Sequence, residues 1–157
     1  MLMNPDSSPQ NDITITPMLA VRDAMAAIDW YKRIFNAEVA MLLKDAGGVI
    51  VHAELLIGNG RIMLAEEDAD YNRSPQTLKG TSVIIHIYVD NVDEVVVHAV
   101  KEGARLIFPA KDQFYGDRSA RFEDPFGHMW LVSTSLRKIP PREVERIFNE
   151  MMLKNGD

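Results

Sequence analysis

One pattern of strands and helices occurs twice in the chain, at a constant spacing that we call the repeat offset. The repeat offset lays residues 52–65 over 120–133, and each segment has a strand-like run, a turn with glycine and an apolar run. Residues 15–21 likewise lie over 83–89, and each of these apolar strands leads through Asp or Asn into a helical pattern. An internal repeat of this kind predicts two copies of one supersecondary unit.

Each copy has the element order βαβββ, which predicts an α+β fold made of two tandem modules. The predicted strands are 13–21, 38–44, 49–57, 61–66, 82–89, 105–109, 119–123 and 128–134. The predicted helices are one capped by Asp23 that ends near Phe35, one at 92–102 and an amphipathic one at 142–154. One residue of the second helix must be dropped for Asn36 to meet Gly103. The predicted organisation is a disordered tail at 1–12, a first module at 13–67, a linker at 68–81, a second module at 82–136 and a C-terminal segment with the last helix at 137–157.

Two glycine-containing turns close the predicted hairpins. Residues 58–60, Gly-Asn-Gly, are a strong signal for a short hairpin turn in the first module. In the second module, Asp124, Pro125 and Gly127 stand at the first, second and fourth positions of a predicted type I turn. Proline sets φ at the second position, and the Asp side chain can accept hydrogen bonds from the turn backbone.

The composition limits the environment that suits this chain. Its 157 residues are 46% hydrophobic and 25% charged, as in one globular domain or two fused modules that share a core. The absence of cysteine excludes disulfides and thiolate chemistry. The polar first residues do not resemble a signal peptide and no apolar run has the roughly 20 residues of a membrane span, so we expect a cytoplasmic protein without a membrane partner. The net charge of −6 argues against a nucleic-acid partner.

Four segments of the chain carry a resemblance to a known family: TPMLAVRDAMAAIDWYKRIFNAE, HAELLIGNGRIMLAEE, HIYVDNVDE and the stretch from FYGDR to DPFGHMW. In these segments the chain resembles the vicinal oxygen chelate superfamily, which includes glyoxalase I, bleomycin-resistance proteins and extradiol dioxygenases, and within it the PhnB-like group. The resemblance implies that each module curls a four-stranded mixed sheet into a half-barrel around a cleft. It also implies a homodimer, in which modules of two chains often pack side by side.

In the metal-dependent members of that superfamily, His, Gln or Glu ligands on the first and last strands of each module hold a divalent ion. The resemblance places the four ligand positions at Thr16, Met63, Ile84 and Leu131. None of these side chains is a plausible ligand for a site that needs three or more nitrogen or oxygen donors. We therefore predict no metal and no other cofactor, unless other residues supply the ligands.

Three polar groups near the predicted cleft have two interpretations each. His86 shares a strand face with Ile84 and Tyr88, and it is either an acid, base or substrate contact, or a histidine bonded within the sheet. His52 and Glu54 share a face of their strand, and they line either the cleft or the solvent side.

The loop 114–118 contains two aromatic residues, an Asp and an Arg beside the predicted cleft. An arginine can recognise a planar or anionic ligand through its bidentate fork and by stacking. The alternative is a structural Asp–Arg pair, with the aromatic side chains covering the end of the barrel. The last helix likewise packs either on its own domain or in a dimer contact.

The favoured hypothesis is a metal-independent protein that binds a small apolar or aromatic molecule in the cleft. The residues predicted to contact this molecule are Thr16, Met18, Met63, Ile84, His86, Tyr88, Phe114, Tyr115, Arg118 and Leu131. The alternative is a lyase, isomerase or dioxygenase of the same superfamily, with His52, Glu54 and His86 as ligands or with His86 as a base. A dimeric scaffold without a ligand is the third hypothesis, because one fold hosts many functions.

Overall fold

The structure is a computed structural model that describes residues 14–154; the predicted tail at 1–12 lies outside these residues. The first module contains β1 (Met18–Val21), α1 (Ala24–Phe35), β2 (Glu38–Lys44), β3 (Ile50–Ile57) and β4 (Gly60–Glu66). A single-turn helix, α2 (Pro75–Leu78), follows in the predicted linker. The second module contains β5 (Ile84–Tyr88), α3 (Val92–Lys101), β6 (Arg105–Asp112), β7 (Asp117–Glu123) and β8 (Met129–Ser135), and α4 (Pro141–Lys154) comes last.

Each module forms a four-stranded mixed sheet with the same topology. The strand order is β1-β4-β3-β2 in sheet 1 and β5-β8-β7-β6 in sheet 2. The first strand of each module pairs in parallel with the last, and the other neighbours are antiparallel. The predicted α+β fold of two tandem βαβββ modules with a C-terminal helix is confirmed. No helix among residues 14–154 is long and apolar enough to cross a membrane.

The first helix begins and ends where its capping residues predict. The side chain of Asp23 accepts a hydrogen bond from the backbone N–H of Ala26 at 2.9 Å, which satisfies one of the free N–H groups of the first turn. Asn36 ends the helix in the left-handed region, with φ of 52°. The predicted apolar face is buried; it comprises Ala24, Ala27, Ile28, Tyr31 and Phe35.

Two strand boundaries that lie near prolines differ from the prediction. The first strand begins at Met18, since Pro17 has no N–H to extend the ladder, although its carbonyl accepts a bond from Met63. The sixth strand continues to Asp112, past its predicted end at Pro109. It is an edge strand with a register shift between Phe108 and Lys111, which is a place where a strand tolerates proline.

The register of the sheets corrects the predicted alignment of the two hairpins. Met18 faces Met63 in sheet 1 and His86 faces Leu131 in sheet 2, which agrees with the repeat offset. Met63 also faces Glu54, however, whereas Leu131 faces Arg121. The spacing between β3 and β7 is therefore shorter than the repeat offset by a single position.

The correction has a simple origin in the two turns. The hairpin of the second module closes through a longer turn, between Glu123 and Met129, than that of the first module, between Ile57 and Gly60. The residue lost in the second helix is therefore regained only at this turn. In the structural alignment Glu54 corresponds to Arg121, and not to Phe122 as the ungapped alignment predicts.

One core joins the two modules. Aromatic side chains of α1 pack against the helix-covered face of sheet 2, with ring centroids of Phe35 and Trp130 4.5 Å apart and those of Tyr31 and Trp130 5.5 Å apart. Trp30 lies edge-on to Phe122 in the same cluster. The helices bury only one face of each sheet, so the other face of each sheet is not covered by a helix.

A buried carboxylate ties the first module to the turn of the second. Asp124 is 3% exposed and accepts hydrogen bonds from Tyr31 Oη at 2.6 Å and Trp130 Nε1 at 2.8 Å. The backbone N–H groups of Phe126 and His128 donate to its second oxygen, each at 2.9 Å, which confirms the predicted turn. Burial raises the pKa of Asp124, and burial together with the adjacent carboxylate raises the pKa of Tyr31.

Candidate functional site

The candidate site consists of the two sheet faces that the helices do not cover, which we call open face 1 and open face 2. On open face 1, Glu54 lies between Met63 and Met41 in a row across the sheet, while its neighbours Ala53 and Leu55 are fully buried in the core. Open face 1 includes Met18, Met41, Leu43, His52, Glu54 and Met63. Open face 2 includes Ile84, His86, Tyr88, Phe108, Ser119, Arg121, Leu131 and Ser133.

Open face 1 holds a carboxylate that is already paired within the sheet. The Glu54 side chain is only 11% exposed, and it accepts a hydrogen bond from the guanidinium of Arg61. His52 Nε2 lies 3.4 Å from the other carboxylate oxygen. The pair therefore lies on the open face, with Ala53 and Leu55 turned into the core, and the Glu54 charge is compensated by the arginine.

A chain of polar groups crosses open face 2. His86 Nε2 lies 2.9 Å from Ser133 Oγ, and Ser133 Oγ lies 2.9 Å from Ser119 Oγ. Tyr115 Oη completes the chain at 3.4 Å from Ser119. The two serines are buried, whereas His86 and Tyr115 are accessible. The histidine is thus bonded within the sheet and oriented by the serine, and it still faces the open side.

Tyr88 and Asp117 form a second pair on the same face. The Tyr88 hydroxyl donates to Asp117 Oδ2 at 2.8 Å, and this hydrogen bond is the main reason that the pKa of Tyr88 is raised. The rings of His86 and Tyr88 lie 4.7 Å apart. Both residues line a cleft of about 580 Å³ beside β5, whose other walls include Phe35 and the turn at 57–60.

A smaller pocket of about 180 Å³ surrounds Arg121. Its walls are Phe108, Gln113, Tyr115, Ser119, Ala120, Arg121 and Leu131. The Arg121 guanidinium carbon lies 5.4 Å from the centre of the Phe108 ring, and Arg121 Nε is buried without a hydrogen-bond partner among the described residues. A buried donor left without a partner costs about 1–3 kcal/mol, so Arg121, which lines the pocket, has an unused donor.

The ten residues predicted to contact a ligand are distributed over both open faces and their rims. Met18 and Met63 are neighbours on open face 1, and Thr16 lies just before β1. Ile84, His86, Tyr88 and Leu131 lie on open face 2, and the pocket of Arg121 joins Leu131 to Tyr115. The structure thus groups these residues by module, whereas Phe114 and Arg118 contact α4 and α3 instead of open face 2.

The loop at 114–118 is occupied by internal contacts. Arg118 donates to both oxygens of Asp93, at 2.8 and 2.9 Å, and to Asp112 at 2.8 Å. These ion pairs raise the pKa of Arg118 and lower that of Asp93. Phe114 packs against Phe148 of α4, with the ring centroids 5.9 Å apart. Arg118 is thus paired with aspartates outside the loop, and not with Asp117, which accepts a hydrogen bond from Tyr88.

The side chains present do not fit a divalent metal centre. Among residues 14–154, no three His, Cys, Asp or Glu side chains lie close enough together to hold a metal ion. His52 and Glu54 lie on open face 1 with an arginine on the carboxylate, and His86 lies on open face 2 with a serine on its ring nitrogen. A zinc or similar site needs at least three converging donors.

The sequence interpretation missed four residues of open face 2, namely Phe108, Ser119, Arg121 and Ser133. The burial of alternate residues in β7 identifies the residues of this strand that face the open side. Ala120 and Phe122 are buried in the core, just as Ala53 and Leu55 are, so the residues between them must face the open side. An alignment that lays Glu54 over Arg121, and keeps that spacing through β7, places Arg121 on this face.

Comparisons with known proteins agree with this architecture. The family model described as Glyoxalase/Bleomycin resistance protein/Dioxygenase superfamily matches residues 14–132. An uncharacterized protein of Mycobacterium bovis is 33% identical over 135 residues, which cover 83% of this chain and 89% of that protein.

Two solved structures are similar to the chain over most of its length. TioX from Micromonospora sp. ML1 has a TM-score of 0.62 at 27% identity, covering 80% of this chain and 100% of that chain. A PhnB protein from Bacillus cereus has a TM-score of 0.62 at 14% identity, covering 78% and 100% respectively, and at this identity the likeness concerns the fold. The resemblance found in the sequence is confirmed, and the chain belongs to the glyoxalase/bleomycin resistance protein/dioxygenase superfamily.

Proposed function

We propose that this protein binds a small apolar or aromatic molecule against its open faces and does so without a divalent metal. The observation that carries the proposal is the chemistry of these faces. The positions at which metal-dependent relatives are expected to carry ligands hold Thr16, Met63, Ile84 and Leu131, while apolar side chains surround them. A concave apolar surface with a few polar groups is the usual form of a small-molecule site.

Exposed apolar side chains on both open faces support the proposal. Met18 is 52% exposed and Met41 is 43% exposed on open face 1, and Ile84 is 43% exposed and Phe108 57% exposed on open face 2. Apolar surface of this kind is normally covered by a ligand or by another protein. Methionine suits such a lining because its thioether is flexible and polarizable.

The proposal includes a homodimer in which open face 1 of one protomer covers open face 2 of its partner. The ligand then lies in the cleft between the two faces. Glu54 is already paired with Arg61, whereas pairing unlike faces keeps the two Arg121 guanidinium groups of the dimer apart, which favours this arrangement. The cytoplasmic location and the absence of nucleic-acid partners are part of the same proposal.

Binding of a neutral aromatic probe tests the ligand-binding proposal. We expect N-phenyl-1-naphthylamine to bind the full chain saturably, with an increase in its fluorescence. Leu131→Arg places a charge on open face 2 and should raise the Kd at least about tenfold, a loss of 1.4 kcal/mol. Val97→Arg is the matched control, because Val97 is 69% exposed on α3. Equal Kd values in both variants, or no saturable binding, would contradict the proposal.

The dimer is tested separately by sedimentation equilibrium. Ile84→Glu places a carboxylate on the covered face and should weaken self-association, whereas Val97→Glu should leave it unchanged. A chain that stays monomeric at all concentrations, or an association that Ile84→Glu leaves intact, would contradict the proposed pairing of faces.

A further inference from the structure

Corresponding positions on the two open faces hold opposite charges, and the two charged side chains differ in their hydrogen-bond partners. Glu54 on open face 1 is paired within its own sheet, with Arg61 and His52 on its two oxygens. Arg121 on open face 2 has a buried Nε without a hydrogen-bond partner among the described residues. One module thus supplies its acid with a cation, and the other leaves its cation available.

The surroundings of Arg121 hold its guanidinium in place without neutralising it. Phe108 lies opposite Arg121 in the ladder and stacks on the guanidinium at 5.4 Å, a contact that leaves the N–H edges of the fork free. Glu123, the acidic residue two positions along the same strand, is paired with Arg105 at 2.8 Å. The arginine is therefore preorganised by an aromatic ring, and a neighbouring carboxylate is engaged elsewhere.

The pocket around Arg121 combines hydrogen-bond donors with apolar walls. Tyr115 and Gln113, which carry polar side chains, line it together with the apolar side chains of Leu131 and Phe108. The hydroxyl of Tyr115 is only loosely engaged, at 3.4 Å from Ser119, so it can donate to another acceptor. The volume of the pocket, about 180 Å³, suits a small organic molecule rather than a polymer.

We propose that this pocket binds the carboxylate of a small aromatic acid, with Arg121 on the carboxylate and Phe108, Leu131 and Tyr115 against the ring. The inference rests on the proposed ligand-binding function and names the chemical class of the ligand. A planar guanidinium matches the geometry of a carboxylate, and a charge-assisted hydrogen bond would satisfy the buried Nε–H. The ligand would also compensate the arginine charge, as Arg61 compensates Glu54.

The side-chain Nε–H signal of Arg121 provides a direct test. In the ¹⁵N-labelled full chain this signal is assigned by its loss in Arg121→Lys, and the protein is titrated with benzoate and with neutral benzamide. Benzoate should shift the signal saturably and bind at least about tenfold more tightly than benzamide. Arg121→Gln should remove the preference for benzoate, and Arg33→Gln, which removes an exposed arginine of α1, should keep it.

Each other outcome overturns the inference in a distinguishable way. Equal affinity for benzoate and benzamide, or no binding of either while N-phenyl-1-naphthylamine still binds, would refute the carboxylate site and leave the proposed function standing. A shift of the Arg121 signal in ligand-free Glu54→Gln, without any effect of benzoate on the original chain, would assign Arg121 to a carboxylate of the partner protomer. Failure of the original chain to bind any of the three probes would refute the proposed function itself.

Discussion

Glu54 and Arg121 occupy corresponding positions on the open faces of the two sheets. Glu54 faces Met63 in sheet 1, and Arg121 faces Leu131 in sheet 2. The repeated fold therefore places an acidic and a basic side chain at corresponding positions of its two sheets. Among residues 14–154 only Glu54 of this pair has a charged partner, so the two faces offer a ligand different charges.

Removal of Arg61 should destabilise the protein, because it leaves the Glu54 carboxylate buried without its cation. The Glu54 side chain is 11% exposed, and we expect Arg61→Gln to lower the free energy of unfolding by about 1–3 kcal/mol. Urea denaturation at neutral pH measures the change. The matched control is Arg105→Gln, whose side chain is 65% exposed and whose loss should cost less than about 1 kcal/mol. Equal effects of the two substitutions would show that burial of Glu54 does not matter.

Tyr31→Phe tests the connection between the modules. Tyr31 and Asp124 are 0% and 3% exposed, and the substitution removes the 2.6 Å hydrogen bond to the carboxylate without changing the packing of the ring. We expect a loss of about 1–3 kcal/mol in the free energy of unfolding, because a buried acceptor loses a donor. Tyr71→Phe, at a side chain that is 92% exposed, is the control and should have no measurable effect. A Tyr31→Phe variant as stable as the original chain would contradict the proposed role of the bond.

The pH dependence of stability should depend on Glu67. Hydrogen bonds from Ser74 and Thr77 lower the pKa of this partly exposed side chain from 4.5 to about 2. A lowered folded-state pKa adds stability that is complete above pH 4.5 and is lost as the pH falls toward 2. Glu67→Gln should therefore destabilise the protein at neutral pH, and its difference from the original chain should shrink in acid.

Urea denaturation at about pH 6 and about pH 3 measures this difference, since the first value lies above the range in which the contribution is lost and the second lies within it. Glu145→Gln, at an exposed position of α4, is the control and should change stability equally at both values. A Glu67→Gln variant whose stability runs parallel to that of the original chain over this range would contradict the assignment.

Local signals in the sequence predict much of the fold. The Asp23 cap, the apolar face of α1 and the Asn36 break define the first helix, and the structure begins and ends it at those points. The repeat offset predicts which first and last strands are equivalent in the two modules, and the registers of these strands agree with it. Periodicity and capping are properties of nearby residues, so they can be recognised without a three-dimensional structure.

The candidate site is less accessible to such reasoning. The length of one turn moved Arg121 out of the predicted alignment, although the buried neighbours Ala120 and Phe122 indicate the correct face. The bond between Tyr31 and Asp124 joins residues 93 positions apart, which no local pattern predicts. Arg118 pairs with Asp93 and Asp112, and these ion pairs likewise depend on how α3 packs beside β6 and β7.

Elemental metal analysis tests the central claim most directly. The untagged chain is purified without chelator, offered Ni²⁺, Zn²⁺, Mn²⁺ and Fe²⁺, dialysed and measured. We predict metal at background level, because the converging donors that a divalent ion needs are not assembled among residues 14–154. Stoichiometric metal that is lost in His52→Ala, Glu54→Gln or His86→Ala would contradict this account, and it would favour a metal-dependent lyase, isomerase or dioxygenase.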